Sequence, residues 1–133
     1  MTYMLDTNIC IYAIKRKPEQ VFTRIKENLG NRLCISSITL AELEHGIAKS
    51  DYPEKNRASL TKFLTILNVL PFDEGAAREY GKICAFLQKK GTPIRTMDVL
   101  IAGHARSKDY TIVTNNVREF ERMAGLKIEN WAE

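Results

Sequence analysis

The sequence has no apolar run that approaches the roughly 18 residues of a membrane-spanning helix. Its amino terminus also lacks the order of basic, apolar and small residues that marks a secretion signal. These two absences predict a cytoplasmic protein with no membrane partner.

Cysteine is scarce and widely spaced. Cys10, Cys34 and Cys84 are the only three, and no two of them form a CxxC pair. An odd number of separated cysteines argues against a disulfide framework and against a zinc site. We therefore expect reduced, buried thiols.

Low-complexity tracts, internal repeats and Gly/Ser/Pro-rich linkers are also absent, so residues 1–133 are predicted to form one domain. Hydrophobic residues make up 44% of the chain and charged residues 27%, as in globular proteins. The net charge of +4 is compatible with an RNA partner but does not require one. The basic run Lys15-Arg16-Lys17 follows the first helix and is interpreted as a solvated face.

Short apolar runs alternate with longer segments of helical periodicity. The predicted strands are residues 3–5, 33–35, 69–70, 111–113 and 127–128. The helical patterns cover residues 39–48, 57–67, 74–90 and 97–107, with helix starts or breaks at Pro18 and Pro53 and a stop at Gly91. Near-continuous apolar strands are typical of parallel sheets covered on both faces. We therefore predict an α/β fold with a central parallel sheet and a helical hairpin projecting between residues 39 and 67.

Four polar residues are placed where parallel strands end. They are Asp6 after the first strand, Glu42 in the helix after the second, Asp98 near the start of a later helix, and Asn116 after strand 111–113. Loops at the carboxyl ends of parallel strands gather along one edge, where ligands bind. We expect three carboxylates and one amide to converge there.

Such a cluster has a plain structural alternative. Asp6, Asp98 and Asn116 are all suitable helix caps, and Thr39-Leu-Ala-Glu42 matches a capping box. Capping does not explain why carboxylates recur at successive strand ends, because Ser, Thr, Asn or Gly would serve equally.

Converging carboxylates would need a counter-charge. Oxygen ligands without a His or Cys pair favour Mg²⁺ or Mn²⁺. A cation of this kind activates water and neutralises charge in phosphodiester hydrolysis, so the pattern predicts nucleic-acid cleavage.

Three segments carry a resemblance to a known family: MLDTNICIY, ISSITLAELEHGIAKS and GTPIRTMDVLIAGHARSKDYTIVTNNVREFERMAGLKIENW. They resemble the VapC toxins, ribonucleases of the PIN-domain superfamily, over nearly the whole chain. A lone LDTN would be a weak signal. The three segments together contain four separated motifs in the right order, which makes the resemblance specific. The resemblance implies a PIN-like α/β/α sandwich with a central parallel β-sheet.

The resemblance also assigns roles to residues. Asp6 would be the first metal ligand, Glu42 and Asp98 the second and third acidic residues, and Asn116 the fourth position, where many PIN domains have Asp. Of these, Asp6 and Asp98 would hold the metal. The matching supporting residues are Thr7 and Asn8, which would orient the first carboxylate and the helix start, and Thr114, a hydroxyl residue two before position 116.

Other polar residues have competing interpretations. Glu119 could replace the carboxylate missing at Asn116, although an exposed helical Glu is more often solvated. Arg95 lies close to Asp98 and is predicted as an RNA contact. His45 and His104 are left out of the site, since a metal-activated water needs no histidine base, and His104 is expected to pack.

The family's properties define the expected function. They imply an endoribonuclease that uses Mg²⁺ or Mn²⁺, forms a homodimer, is inhibited by a VapB antitoxin entering its groove, and meets operator DNA only through that antitoxin. Cleavage of the initiator tRNA anticodon loop, which would inhibit translation, is the favoured activity by analogy.

Two alternatives to this function stay open. One is a catalytically weak PIN domain that binds RNA or antitoxin without cutting, which the Asn at position 116 favours. The other is a phospho-accepting receiver domain, which the missing Lys after strand 111–113 argues against.

Overall fold

The computed structural model describes residues 1–92 and 94–133, and its centre is a five-stranded parallel sheet. The strands are β1 (Thr2–Leu5), β2 (Arg32–Ser36), β3 (Asn68–Leu70), β4 (Thr111–Val113) and β5 (Lys127–Glu129). Their order across the sheet is β3-β2-β1-β4-β5, and every neighbouring pair is parallel. All five predicted strands are confirmed, with ends shifted by no more than one residue.

Helices connect the strands. They are α1 (Thr7–Lys15), α2 (Glu19–Glu27), α3 (Ser37–Ala48), α4 (Pro53–Leu64), α5 (Glu74–Lys90), α6 (Thr96–Ser107) and α7 (Val117–Phe120). The residues predicted to start or stop helices do so: Pro18 precedes α2, Pro53 opens α4, and Gly91 ends α5 in the left-handed conformation at φ 65°. Helices α2 and α7 lie outside the predicted ranges, and α1 is the first helix that the sequence placed before Lys15 without bounds.

Two hydrophobic cores lie on opposite faces of the sheet. Successive side chains of β1 alternate between them, with Tyr3 and Leu5 in the first core and Met4 in the second. The first core takes its helical residues from α1 to α4, among them Ile9, Val21, Ile25, Leu43, Leu60 and Phe63. The second takes them mainly from α5 and α6, among them Ile83, Leu87, Ile101 and Ala105. This arrangement confirms the predicted α/β/α sandwich.

The predicted helical hairpin is formed by α3 and α4, which pack against each other and against α1. Leu60 and Phe63 of α4 are buried in the first core together with residues of α1. The physical reason is the apolar face of α4, because removing the side chains of Leu60 and Phe63 from water is favourable.

The thiols and His104 largely follow the predictions. Cys10 and Cys34 are buried and Cys84 is partly buried, all three free. His104 is fully buried and packs edge-on against Phe72. Among the described residues, no helix has the length and apolar character required to cross a membrane.

The sheet order places the carboxyl ends of β2, β1 and β4 next to one another. β1 lies between β2 and β4, so the residues that follow these strands share one edge. The backbone N–H of Asp6 donates to the Val113 carbonyl at 3.0 Å, which joins the end of β1 to the end of β4. The site described next lies at this edge.

Candidate active site

One cavity of about 740 Å³ collects the polar residues predicted from the sequence. Asp6, Glu42, Asp98 and Asn116 all line it. The same wall includes Thr7, Asn8, Arg95 and Glu119, whereas Thr114 is buried just behind it. The fold therefore gathers the predicted carboxylates and the amide in one place.

Asp6 combines helix capping with a place in the cavity. Its Oδ1 accepts a hydrogen bond from the Ile9 N–H at 2.9 Å, which caps α1. The capping interpretation therefore accounts for one of the two carboxylate oxygens. The side chain is buried, and this burial raises the pKa of Asp6 to about 6. Hydrogen bonds from Thr114 and Ile9 oppose the rise in pKa, and the charges of Asp98 and Glu42 add to it.

Glu42 is not part of a capping box. Helix α3 begins at Ser37 rather than Thr39, and Ser36 caps it by accepting from the Ile38 N–H at 3.1 Å. Glu42 consequently lies in the second turn, beyond reach of the helix start. Its side chain faces the cavity instead.

Thr7 positions Glu42 rather than Asp6. The Thr7 hydroxyl donates to Glu42 Oε1 at 2.6 Å, across a separation of 35 residues. The sequence prediction that this hydroxyl orients the first carboxylate is therefore wrong. The tertiary fold, by bringing α1 against α3, gives Thr7 a different acceptor.

Arg95 links the second and third carboxylates. Its Nη1 lies 3.2 Å from Glu42 Oε2, its Nη2 lies 3.0 Å from Asp98 Oδ1, and its Nε donates to Asp98 Oδ2 at 3.4 Å. Arg95 precedes α6 and makes no side-chain capping bond there. These anions, Asp98 first, raise the pKa of Arg95, so the guanidinium is a permanent positive charge in the cluster.

The fourth position is formed by the turn after β4. The buried Thr114 hydroxyl accepts from the Asn116 N–H at 2.9 Å, and this bond fixes the turn. Asn115 faces another way, since its Nδ2 donates to the Tyr12 hydroxyl at 3.0 Å. Glu119 lines the same cavity three residues after Asn116, as one turn of helix would place it.

The sequence analysis left His45 out of the site and did not consider Lys49. Both are exposed at the cavity wall, and they follow Glu42 by three and seven residues, His45 on α3 and Lys49 as its C-cap. That spacing puts all three on one helical face, so it could have identified them. His104, in contrast, lies 2.8 Å from Ser36 Oγ in the interior and is absent from the wall.

The residues of the cavity fit a hard cation by their chemistry. Asp6, Glu42 and Asp98 offer oxygen donors only, the set that Mg²⁺ and Mn²⁺ prefer. Over residues 1–92 and 94–133, no three His, Cys, Asp or Glu side chains already converge as closely as a metal site requires. The Arg95 guanidinium, bonded to both Glu42 and Asp98, supplies the counter-charge in this arrangement.

Comparisons with known proteins agree with this geometry. The PIN domain family model matches residues 3–126. The tRNA(fMet)-specific endonuclease VapC of Salmonella typhimurium is 50% identical over 131 residues, 98% of each chain. The protein of the same name from Shigella flexneri is 49% identical over 132 residues, 99% of each chain.

A solved structure shows the same fold. It is the crystal structure of VapBC2 from Rickettsia felis bound to a DNA fragment from their promoter, in which one chain matches with a TM-score of 0.94 and 42% identity. The match covers 98% of this chain and 99% of that one. The matched length and identity confirm the predicted family, and the chain belongs to the PIN domain family and, within it, to the VapC ribonucleases.

Proposed function

We propose that this protein is the toxin of a VapBC-type pair and an endoribonuclease that depends on Mg²⁺ or Mn²⁺. The observation that carries the proposal is the convergence of Asp6, Glu42 and Asp98 on one cavity at the carboxyl edge of the sheet. Carboxylates gathered in this way are suited to binding a cation and to phosphodiester hydrolysis.

Asp6 and Asp98 would hold the metal, with Glu42 beside them. The bound cation would activate a water molecule and neutralise charge that develops on the phosphate. Thr7 fixes the rotamer of Glu42 through the 2.6 Å hydrogen bond, and the Thr114 hydroxyl favours the ionised form of Asp6. Asn116 adds a neutral amide at the fourth position, which leaves the cluster with three acidic groups at its centre.

The substrate we propose is initiator tRNA, cut in the anticodon loop, so that translation stops. Two relatives at 49% and 50% identity are named tRNA(fMet)-specific endonucleases. Exposed cations at the cavity, Arg95 and Lys49, could contact the phosphates of such a loop.

The antitoxin would occupy a groove that continues from the active-site cavity. The cavity shares Ile11 and Gly46 with a second cavity of about 310 Å³, which shares Ile14 and Ser59 with a third of about 440 Å³. The walls of these cavities come from α1, α2, α3 and α4. The charged residues that line the third cavity are all cationic: Arg16, Lys26 and Lys62.

A peptide with apolar and acidic residues is the complement of this groove. Operator DNA would be bound only through the antitoxin in the complex.

We further propose that the chain is a single domain and that it forms a homodimer. Light scattering on the purified protein would test the dimer, because it measures the mass of the particle.

The experiment is cleavage of total bacterial RNA by the purified chain without antitoxin, with Mg²⁺ or with EDTA. The test variant is Asp6→Asn, which removes the charge but keeps an oxygen to accept from the Ile9 N–H. The matched control is Asp73→Asn, because Asp73 caps α5 through the Ala76 N–H at 3.0 Å in the same way but lies outside the cavity.

Sequencing of new 5′ ends gives the readout. We expect discrete cuts in initiator tRNA that need Mg²⁺ and are lost in Asp6→Asn but retained in Asp73→Asn. Cuts that persist in EDTA, or in folded Asp6→Asn, would contradict a metal-dependent site at Asp6.

A binding module without cleavage is the second candidate. It is favoured by Asn116, which lines the cavity where a fourth carboxylate could be. In that case folded wild-type protein would bind RNA or antitoxin without producing cuts. Cleavage that appears only in Asn116→Asp would establish this alternative.

A further inference from the structure

Arg95 binds the carboxylates of Glu42 and Asp98 and is more exposed to solvent than either of them. The Arg95 side chain is 56% exposed, whereas those of Glu42 and Asp98 are 17% and 11% exposed. The side chain makes no capping bond to α6, and within residues 1–92 and 94–133 its hydrogen bonds go to the two acids. The guanidinium can therefore leave them without opening the hydrophobic core.

The same contacts conflict with a metal ion. Both oxygens of Asp98 accept from Arg95, one from Nη2 and the other from Nε. A cation held by Asp6 and Asp98 would compete for these oxygens and would also repel the guanidinium a few ångströms away. Release of Arg95 would remove both conflicts.

We propose that Arg95 is a resident counter-cation, which leaves Glu42 and Asp98 when a divalent cation binds and then contacts a phosphate of the RNA. This inference rests on the proposed metal-dependent function and adds how the site is regulated. A freed guanidinium at the mouth of the cavity has five donors in a planar fork, which matches two phosphate oxygens. Metal binding would thereby strengthen RNA binding, and by linkage RNA would strengthen metal binding.

The first test observes the arginine directly. In the ¹⁵N-labelled full chain, the Nε–H signal of Arg95 is assigned by its absence in Arg95→Lys, and Mg²⁺ is titrated without RNA. Arg106 is an internal reference, since its Nε also donates to a carboxylate, that of Glu79, at 2.8 Å outside the cavity.

The two proposals give different spectra. We expect the Arg95 signal to move and exchange faster with solvent as Mg²⁺ binds, while the Arg106 signal stays. If backbone amides near Asp6 and Asp98 shift but the Arg95 signal does not, Arg95 keeps its partners and this inference is wrong while metal binding stands. If no amide near these acids responds, both proposals fail.

The second test measures the competition. By calorimetry at constant ionic strength, Arg95→Gln should bind Mn²⁺ about tenfold more tightly than the wild type, within the usual range of coupling between two ligands. Arg57→Gln is the matched control, because it removes the same charge from the exposed Glu44–Arg57 ion pair and does not line the cavity. Equal Mn²⁺ affinity of the wild type and Arg95→Gln would overturn the competition.

The third test concerns the phosphate. The probe is a fluorescent single-stranded RNA oligonucleotide with phosphorothioate linkages to slow hydrolysis, and the readout is anisotropy with and without Mg²⁺. Mg²⁺ should increase the affinity of the wild type several-fold more than that of Arg95→Gln. An equal increase in both proteins would refute transfer of Arg95 to RNA.

Discussion

Replacing Asp6 by asparagine is expected to stabilise the folded chain in the absence of metal while abolishing ribonuclease activity. Asp6 is buried, and the cost of keeping its carboxylate ionised there raises its pKa from 3.8 to about 6. Asparagine avoids this cost, and its side-chain oxygen still accepts from the Ile9 N–H. The free energy of unfolding should therefore increase in the variant.

The magnitude follows from linkage between protonation and folding. Between pH 3.8 and about 6 the folded state binds the Asp6 proton more tightly than the unfolded state, so the stability contribution of Asp6 falls as the pH rises. Each pH unit in that window is worth about 1.36 kcal/mol. Above the window, Asp6→Asn should be more stable than the wild type by about 3 kcal/mol, and below pH 3.8 the difference should vanish.

Urea unfolding in EDTA at several pH values measures this difference. His104 also affects the wild-type profile, because burial lowers its pKa and stability is lost as the pH falls below its ordinary value of 6.5. Comparison of Asp6→Asn with the wild type at each pH cancels that contribution. A saturating Mg²⁺ concentration, about 100 times the dissociation constant, should raise the free energy of unfolding of the wild type by about 2.7 kcal/mol. It should leave that of Asp6→Asn unchanged.

Asp73→Asn is the control of opposite sign. Its hydrogen bond from the Ala76 N–H and its contact with Lys108 lower the pKa of Asp73 to about 2, so its contribution to stability is present at neutral pH and is lost as the pH falls through that value. The control variant should be less stable than the wild type at pH 7. If Asp6→Asn is no more stable than the wild type at pH 7 in EDTA, the Asp6 carboxylate bears no desolvation cost and the argument is refuted.

Two further predictions concern a hydrogen bond at the site and the packing of α6 against α5. Thr7→Val removes the hydroxyl that donates to Glu42 and should lower the cleavage rate about ten- to hundredfold with the fold intact, while Thr7→Ser keeps the rate; equal rates in the two variants would refute the positioning role. Gly103→Ala places a methyl group 2.8 Å from the backbone nitrogen of Tyr80, and urea unfolding should show a loss of about 1–3 kcal/mol. In Gly81→Ala, inside α5, the added methyl group meets no atom within 4 Å, so the free energy of unfolding should instead rise by up to about 1 kcal/mol. The reverse order of the two variants would contradict the packing argument.

Local patterns predicted the secondary structure where they were strong. Helix α5 has apolar residues at helical spacing and Gly91 after its end, and its predicted bounds match the structure. Helix α2 was outside the predicted ranges because only Val21 and Ile25 are buried in its nine residues, too few for a periodic signal. Helix α7 has four residues, too short for any pattern.

The candidate site was predicted as a set of residues but not as a set of contacts. That Asp6 and Glu42 come after parallel strands is a local fact of the sequence, and the common edge of these strands explains why both line one cavity. Asp98 follows helix α5 instead of a strand, and it lines the cavity from the first turn of α6. The hydrogen bond from Thr7 to Glu42 joins residues 35 apart, and no local pattern specifies such a pair.

The sequence by itself determined the family, the parallel α/β architecture and the identity of the acidic residues, because periodicity, helix caps and motif order are properties of neighbouring residues. Only the tertiary structure decided which partners these acids have. Arg95 reaches Glu42 across 53 residues because α3 packs beside α6. The burial that raises the pKa of Asp6 is likewise a property of the folded chain. Charge placement of this kind depends on three-dimensional distance and on exclusion of water, neither of which is written in the order of residues.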